Sequence, residues 1–199
     1  MSYQNQSDSN HLSKIIENAE AGDMKSQSSL ACLYHEGDGV PQDDEKAFYW
    51  VKKAATQEDM YAMYNLGYTY WSGEVTSQDY EKAFYWFSKA AEKGHAPAQN
   101  YLGWMYRNGV VVDEDFEEAY IWFLIASNSS LTCSILAGKQ GNANALCNLG
   151  LMHIEGNGVP ESLERAAHWI NLAHRQGSER AAEMLDEYGL WDYIWQIKI

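Results

Sequence analysis

Residues 61–95 decide the fold, because this stretch recurs along the chain: YAMYNLGYTYWSGEVTSQDYEKAFYWFSKAAEKGH. A shift of 36 positions upstream returns residues 45–50 (EKAFYW) for residues 81–86, and the same shift downstream returns Leu102-Gly103 for Leu66-Gly67. A fourth copy, with Leu149-Gly150, follows the third at a shift of 47. Since a fixed period of this length is typical of stacked repeats, the chain is predicted to be a repeat array.

The boundaries of the array follow from where the copies begin and end. Residues 1–10 are polar, and a disordered N-terminus is expected there. Residues 11–199 are predicted to form one repeat domain. Its parts are a half-repeat at 11–23, repeats at about 24–59, 60–95, 96–141 and 142–177, and a capping helix with an apolar tail at 178–199.

Each repeat is predicted to contain two helices. In the second repeat the first helix spans about residues 60–71 and stops at Gly73, and the second helix begins after Asp79, whose carboxylate can cap free amides. Gly94 then ends the second helix. Small residues (Ala83, Ala90 and Ala91) are expected to admit a neighbouring helix, while larger ones (Tyr85, Trp86 and Phe87) fill between layers. The tryptophan of each second helix is expected in the core: Trp50, Trp86, Trp122 and Trp169.

The pattern L-G-x-x-Y-x-x-G at residues 66–73, followed by D-Y-x-K-A-x-x-W-x-x-K-A-A-x-x-G-H at residues 79–95, resembles the Sel-one-like repeat, a relative of the tetratricopeptide repeat. The resemblance covers roughly residues 12–177. It implies an all-α fold, a right-handed α-solenoid of stacked antiparallel helix pairs with the first helices on the concave side. It also implies protein–protein binding without catalysis, as in adaptors of degradation complexes, bacterial signalling proteins and immunity proteins to secreted toxins.

Two segments depart from the repeat. The third repeat carries about eleven extra residues, 127–137, for which a longer helix and a loop are both open. The segment 190–199 is too apolar to hang free in water. It is expected to cap the last repeat, with self-association as the alternative.

Charge and cysteine content restrict the partner and the compartment. The chain has 28 acidic and 14 basic side chains, a formal net charge of −14. That charge disfavours nucleic acid and anionic membranes. It either keeps an extended surface soluble or favours a basic protein partner. The three cysteines include no C-x-x-C pair, so free thiols and a reduced compartment are expected. With neither a signal-peptide pattern nor a long apolar run, a cytoplasmic monomer is expected.

No catalytic motif is present in the sequence, which lacks G-x-S-x-G, the P-loop and H-E-x-x-H. His153, His168 and His174 lack metal-ligand spacing, and the acidic run at 113–118 coincides with a predicted helix start, where capping explains it. The sequence therefore predicts neither an enzyme nor a cofactor or metal site.

The first helices carry the candidate binding surface. At about 100° per residue, Tyr64, Tyr68 and Trp71 lie opposite Leu66 and Tyr70. Equivalent positions hold Ser28, Cys32 and His35 in the first repeat and Cys147 in the fourth. Tyrosine, tryptophan and arginine are enriched in binding hot spots. These positions form a stripe along the first helices, and the predicted protein-binding residues on it are Tyr64, Tyr68, Trp71, Asn100, Trp104, Arg107, Leu151 and Ile154. The alternative is that the stripe packs one helix against the next.

The sequence thus predicts a non-catalytic module that binds a protein through its concave first-helix surface, as a bacterial cytoplasmic adaptor or regulator. Two alternatives remain. One is an immunity protein that binds and neutralises a secreted toxin; a basic toxin would suit the acidic charge of this chain. The other is a structural, self-assembling protein, which the apolar tail would serve.

Overall fold

The computed structural model of this chain describes residues 2–128 and 135–196, with side-chain surroundings for residues 10–128 and 143–194. Across these residues the backbone forms helices and no strand, so the all-α prediction is confirmed. The eleven helices of this part are α1 Ser2–Glu20, α2 Met24–Glu36, α3 Asp44–Thr56, α4 Met60–Ser72, α5 Tyr80–Glu92, α6 Ala96–Arg107, α7 Phe116–Asn128, α8 Ile135–Glu155, α9 Leu163–Arg175, α10 Glu179–Glu187 and α11 Trp191–Gln196.

The helix ends in the second repeat lie where the sequence predicts them. Asp59 caps α4, since its carboxylate accepts a hydrogen bond from the Ala62 amide at 2.8 Å. The helix ends at Gly73, whose φ of 71° is a left-handed conformation that side chains disfavour. Asp79 then accepts from the Lys82 amide at 2.9 Å and starts α5.

The chain divides into two compact units, residues 1–90 (unit 1) and residues 91–199 (unit 2). In unit 1, α1 packs on α2, α2 on α3 and α3 on α4. In unit 2, each helix from α6 to α9 packs on the next along the chain, and α6 also contacts α8. Packing between sequence neighbours is typical of a solenoid, in which each repeat touches only the adjacent ones.

In the second, third and fourth repeats, the large side chain at the centre is not the predicted tryptophan. Phe87, Phe123 and Ile170 are fully buried, whereas the tryptophans that precede them are half-buried; of the four, only Trp50 is buried. Phe87 lies four residues after Ala83 and three before Ala90, so it shares their buried face. The preceding residue is turned by about 100° to the edge of that face. The prediction that all four tryptophans are core residues is therefore wrong for three of them.

Tyr85 is a second correction. It was expected to fill between layers, but it is 53% exposed and its ring packs edge-on against Trp86 at 5.1 Å between centroids. Two positions before Phe87, it is turned by about 200° from the buried side chain and faces outward. The predicted small residues Ala83, Ala90 and Ala91 are all buried, as expected.

A glycine on each later first helix fits against that central side chain. A Cβ added at Gly67 would lie 2.8 Å from the Phe87 ring, and one at Gly103 would lie 2.7 Å from the Phe123 ring. Gly150 faces Ile170 in the same way. The first repeat has Ala31 and Val51 at these two positions, so a larger residue on one helix accompanies a smaller one on the other. The two helices of a repeat therefore approach each other closely.

The two ends of the array differ in how they match the sequence prediction. Helix α1 begins at Ser2 and so includes residues expected to be disordered. Once a helix is nucleated, each added residue gains one backbone hydrogen bond even without an apolar stripe. At the other end, Leu190 and Ile194 are buried in a cluster with helix α9, and Trp191 Nε1 donates to Asp186 at 2.6 Å. For residues 190–194 these contacts favour capping over self-association, and residues 197–199 of the predicted tail lie outside the described residues.

The insertion in the third repeat is only partly described. Helix α7 ends at Asn128 and α8 begins at Ile135, so residues 129–134 of the predicted 127–137 insertion lie outside the described residues. Helix α8 has 21 residues, against 12 or 13 in the first helices before it. Part of the extra sequence therefore lengthens the first helix of the fourth repeat.

Candidate protein-binding surface

The predicted surface of unit 1 is centred on Tyr68 of helix α4. Tyr68 is 42% exposed, and its ring lies 6.4 Å from that of Tyr64. Tyr64 is half-buried, 5.9 Å from the Phe87 ring, and Trp71 is half-buried with its ring 4.9 Å from Tyr80. Of these three predicted binding residues, Tyr68 presents the most surface, Tyr64 packs beside it, and Trp71 packs on Tyr80.

In unit 2 the corresponding exposed residue is Trp104 of helix α6, 36% of which is accessible. The neighbouring predicted residue Arg107 is instead engaged within the fold. Its Nη2 pairs with Glu155 Oε2 at the end of α8, and Asn157 donates to the same carboxylate oxygen at 2.8 Å. The ion pair joins the ends of two first helices, and only 19% of the Arg107 side chain is exposed.

A chain of polar side-chain hydrogen bonds joins the first helices α6 and α8 of unit 2 to helix α10. The Asn148 side-chain amide of α8 donates to Asn100 Oδ1 of α6 at 3.0 Å, and Arg180 Nη2 of α10 donates to Asn148 Oδ1 at 3.1 Å. Asn148 is buried, so each bond replaces one that water would otherwise supply. The predicted residue Asn100 therefore holds helices together as well as facing the candidate surface.

The remaining predicted residues lie against the core of unit 2. Leu151 and Ile154 pack on the cluster around Leu146 and Ile170, and Cys147 is fully buried. Burial raises the pKa of the Cys147 thiol above its usual value, although Arg180 and a hydrogen bond from Ser178 oppose the shift. In the fourth repeat the stripe thus packs helix on helix, which is the alternative that the sequence left open.

A second exposed row was missed by the sequence reasoning. Tyr49, Tyr85 and Ile121 occupy equivalent positions on the second helices and are 50%, 53% and 47% exposed. The sequence did contain a signal for this row, because each residue lies about 200° around the helix axis from Val51, Phe87 or Phe123 and therefore faces away from it. These residues provide a matched comparison for the first-helix surface, because they are as apolar and at least as exposed.

The groups considered for chemistry lie apart and serve the fold. His153 faces Tyr120 and the Pro160 carbonyl, His168 packs on Trp169, and His174 packs on Trp191. The Asp115 carboxylate accepts from the Glu118 amide at 2.9 Å and so caps α7. Among the residues described, no cluster of three or more His, Cys, Asp or Glu side chains could hold a metal ion.

Two of the three cysteines can be located. Cys32 and Cys147 are free thiols, and Cys133 lies outside the described residues. None of the helices in the described ranges combines the length and apolar character needed to cross a membrane.

The sequence matches the family model for the Sel1 repeat at residues 25–59, 61–95, 96–131 and 143–178. The chain belongs to the Sel1 repeat family, and the resemblance inferred from its motifs is confirmed. Members of this family are generally protein–protein interaction modules. A comparison with curated proteins found no match.

Solved structures agree with the family and the solenoid fold. A Sel1 repeat protein from Oxalobacter formigenes is 30% identical, with a TM-score of 0.72 over 84% of this chain and 64% of its own. The protein c5321, a protective antigen of uropathogenic Escherichia coli with an SLR fold, is 33% identical, with a TM-score of 0.75 over 87% of this chain. This chain spans 35% of c5321, so it is shorter than two thirds of either relative. Helicobacter pylori cysteine rich protein B is 26% identical over 72% of this chain and 96% of its own, with a TM-score of 0.51.

Proposed function

We propose that this chain is a non-catalytic module that binds a protein partner through its first helices, with Tyr68 in unit 1 and Trp104 in unit 2 as the principal contacts. The observation that carries the proposal is that these aromatic side chains are 42% and 36% exposed on helices whose opposite faces are buried. Large aromatic side chains contribute more to interfaces than other residue types do.

The other predicted binding residues have supporting parts in this proposal. Tyr64 packs beside Tyr68 and Trp71 packs on Tyr80. The contacts of four other residues fix the helices of unit 2: Asn100, Arg107, Leu151 and Ile154. A binding surface built on packed helices needs little ordering when the partner arrives, and less ordering means a smaller entropic cost of binding.

The partner is proposed to be a basic protein, because the chain carries a net charge of −14. Opposite charge speeds encounter and suppresses like-charged competitors. A bacterial adaptor or regulator in the cytoplasm is the role we favour, and the two free thiols are compatible with a reduced compartment. An immunity protein that neutralises a secreted basic toxin is the second candidate, and the same charge supports it.

Affinity capture with matched variants tests the proposal. The wild-type chain, Trp104→Ala and Tyr68→Ala would each be immobilised and exposed to a lysate of the native host, and the retained proteins would be identified by mass spectrometry. Tyr85→Ala is the control, since Tyr85 is equally aromatic and more exposed on a second helix. We expect one partner to be retained by the wild type and the control and lost by both first-helix variants. Loss with Tyr85→Ala alone would refute the proposed surface.

The two roles are separated by co-expression. If the chain is an immunity protein, its production should rescue cells from a toxin encoded beside it, and Trp104→Ala should abolish the rescue. If neighbouring genes encode no protein that is toxic when expressed alone, the adaptor role is supported.

A further inference from the structure

A groove of about 200 Å³ lies between helices α2, α3 and α4 of unit 1. Its wall includes Phe48, Val51 and Tyr68, and three carboxylates also line it: Glu36, Asp44 and Glu74. Pockets for drug-sized ligands typically measure about 300–1,000 Å³, so this groove has room for a side chain and not for a cofactor.

The groove results from a difference between two repeats. Cys32 and His35 of the first repeat occupy the positions that Tyr68 and Trp71 occupy in the second. Both smaller residues and Tyr68 line the groove, so the space adjoins the exposed tyrosine of the candidate surface. The first helix of the first repeat thus has smaller side chains than that of the second repeat. Tyrosine and tryptophan in the first repeat would fill this space, and the smaller residues leave it open.

The charged side chains that line the groove are mainly carboxylates, and the nearest lysine contact is Lys52 Nζ, 5.2 Å from the centre of the Phe48 ring. His35 Nδ1 lies 3.0 Å from Asp44 Oδ1, and neither lysine nor arginine is among the residues that line the groove. Desolvation, with the carboxylates of Glu36 and Asp59 nearby, raises the pKa of the Cys32 thiol, so the thiol remains neutral. Carboxylates around an apolar wall focus a negative potential into the space between them.

We propose that this groove binds an arginine side chain of the basic protein partner, and the proposal rests on the function proposed above. The guanidinium would stack on the Tyr68 ring and be held by the carboxylates of Glu36, Asp44 and Glu74, with its alkyl chain along Phe48 and Val51. Arginine fits better than lysine because its planar head stacks on aromatic rings and pairs with carboxylates through two parallel hydrogen bonds.

The test is a titration of the uniformly ¹⁵N-labelled full chain, followed by amide chemical shifts, with the blocked peptide Ala-Leu-Arg-Leu-Ala. The control peptide carries citrulline, which has the shape of arginine without its charge. We expect the arginine peptide to shift the amides of Cys32, Asp44, Phe48 and Tyr68 with a millimolar Kd. The citrulline peptide should bind at least about ten-fold more weakly, because the charge-assisted hydrogen bonds are lost.

Variants locate the binding. Glu36→Gln with Glu74→Gln should weaken the arginine peptide about ten-fold or more, and Cys32→Tyr should abolish its binding by filling the groove. Glu81→Gln, an exposed carboxylate of unit 1 outside the groove, should change nothing. Thermal unfolding of each variant confirms that the chain is folded.

Three results would overturn the inference: no groove shifts at about 10 mM peptide, equal binding of the citrulline peptide, or an equal effect of Glu81→Gln. If the groove fails in this way while Trp104→Ala still abolishes capture of the partner, the proposed function stands and only the arginine site is lost. If the groove binds as expected and Trp104→Ala and Tyr68→Ala both retain the partner, the first-helix surface fails instead.

Discussion

At the scale of single residues, Gly67 and Phe87 show how the two helices of a repeat are matched. The Phe87 ring occupies the space that a Cβ at position 67 would need, 2.8 Å away, and the first repeat uses Ala31 and Val51 for the same purpose. The side chains at positions 67 and 87 therefore share a single space between the two helices. In a close-packed interior, a change to one member is felt by the other.

Gly67→Ala should therefore destabilise the chain by about 1–3 kcal/mol through overpacking, although alanine has the higher helix propensity. In a Phe87→Val background, which copies the first repeat, the same substitution should be neutral or stabilising. Urea unfolding of the wild type, both single variants and the double variant measures this coupling. An equal effect of Gly67→Ala in both backgrounds would show that the two side chains do not share the space.

Phe87 and Trp86 allow a second test at this scale. Phe87→Ala should cost about 3–5 kcal/mol of unfolding free energy, because the fully buried ring leaves a cavity. Trp86→Ala should cost less despite removing a larger side chain, because Trp86 is only half-buried. Denaturant unfolding of the two variants compares them directly. A greater loss with Trp86→Ala would restore the tryptophan as the central core residue.

At the scale of helices, aspartate caps recur with the repeat. Asp43 accepts from the Lys46 amide at 2.9 Å, and Asp79 accepts from the Lys82 amide at the same distance. The ammonium groups of the same lysines also form ion pairs with these carboxylates, with Nζ to Oδ2 distances of 2.9 Å for Lys46 and 2.7 Å for Lys82. Hydrogen bonds from Lys46 and Lys82 hold the pKa values of Asp43 and Asp79 below their usual range.

The caps predict a specific dependence of stability on pH. A lowered folded-state pKa means that the unfolded chain binds more protons, so the stabilisation is present above about pH 3.9 and is lost as pH falls through the lowered values. Asp43→Asn with Asp79→Asn keeps a capping group without a charge. Melting temperatures should show the wild type above the variant at pH 7, with the difference closing towards pH 2. A difference that is constant over this range would exclude the ionised caps as its source.

The helices were predictable from the sequence to the extent that local chemistry defines them. Asp79 and Gly73 fix helix ends through their own backbone and side-chain geometry, so the prediction for α4 and α5 is close to the observed bounds.

The exposure of the predicted protein-binding residues on the first helices was less predictable, because it depends on which neighbouring helices cover them. Arg107 is held by Glu155, which is 48 residues away, and no pattern within one helix indicates such a contact. Helix α1 was underestimated because polar residues give no periodic signal.

At the scale of the whole molecule, the net charge of −14 acts on the approach of a partner and not on the fold. If the partner is basic as proposed, its association should slow as salt is added. Its dissociation would depend on the proposed contacts at Tyr68 and Trp104 and should change little. Surface plasmon resonance at several salt concentrations separates the two rates. An association rate that is independent of salt would indicate a partner that the acidic surface does not attract.

The most direct measurement of the central claim is the Kd of the purified partner for Trp104→Ala and for Tyr85→Ala, by isothermal titration calorimetry on chains shown to be folded by circular dichroism. Trp104 is about two thirds buried, so its replacement is expected to lower the melting temperature as well, which makes that check necessary. We predict that Trp104→Ala raises the Kd by about 30-fold or more, equivalent to about 2 kcal/mol, and that Tyr85→Ala leaves it unchanged. An unchanged Kd for folded Trp104→Ala, or a larger loss with Tyr85→Ala, would contradict binding through the first helices.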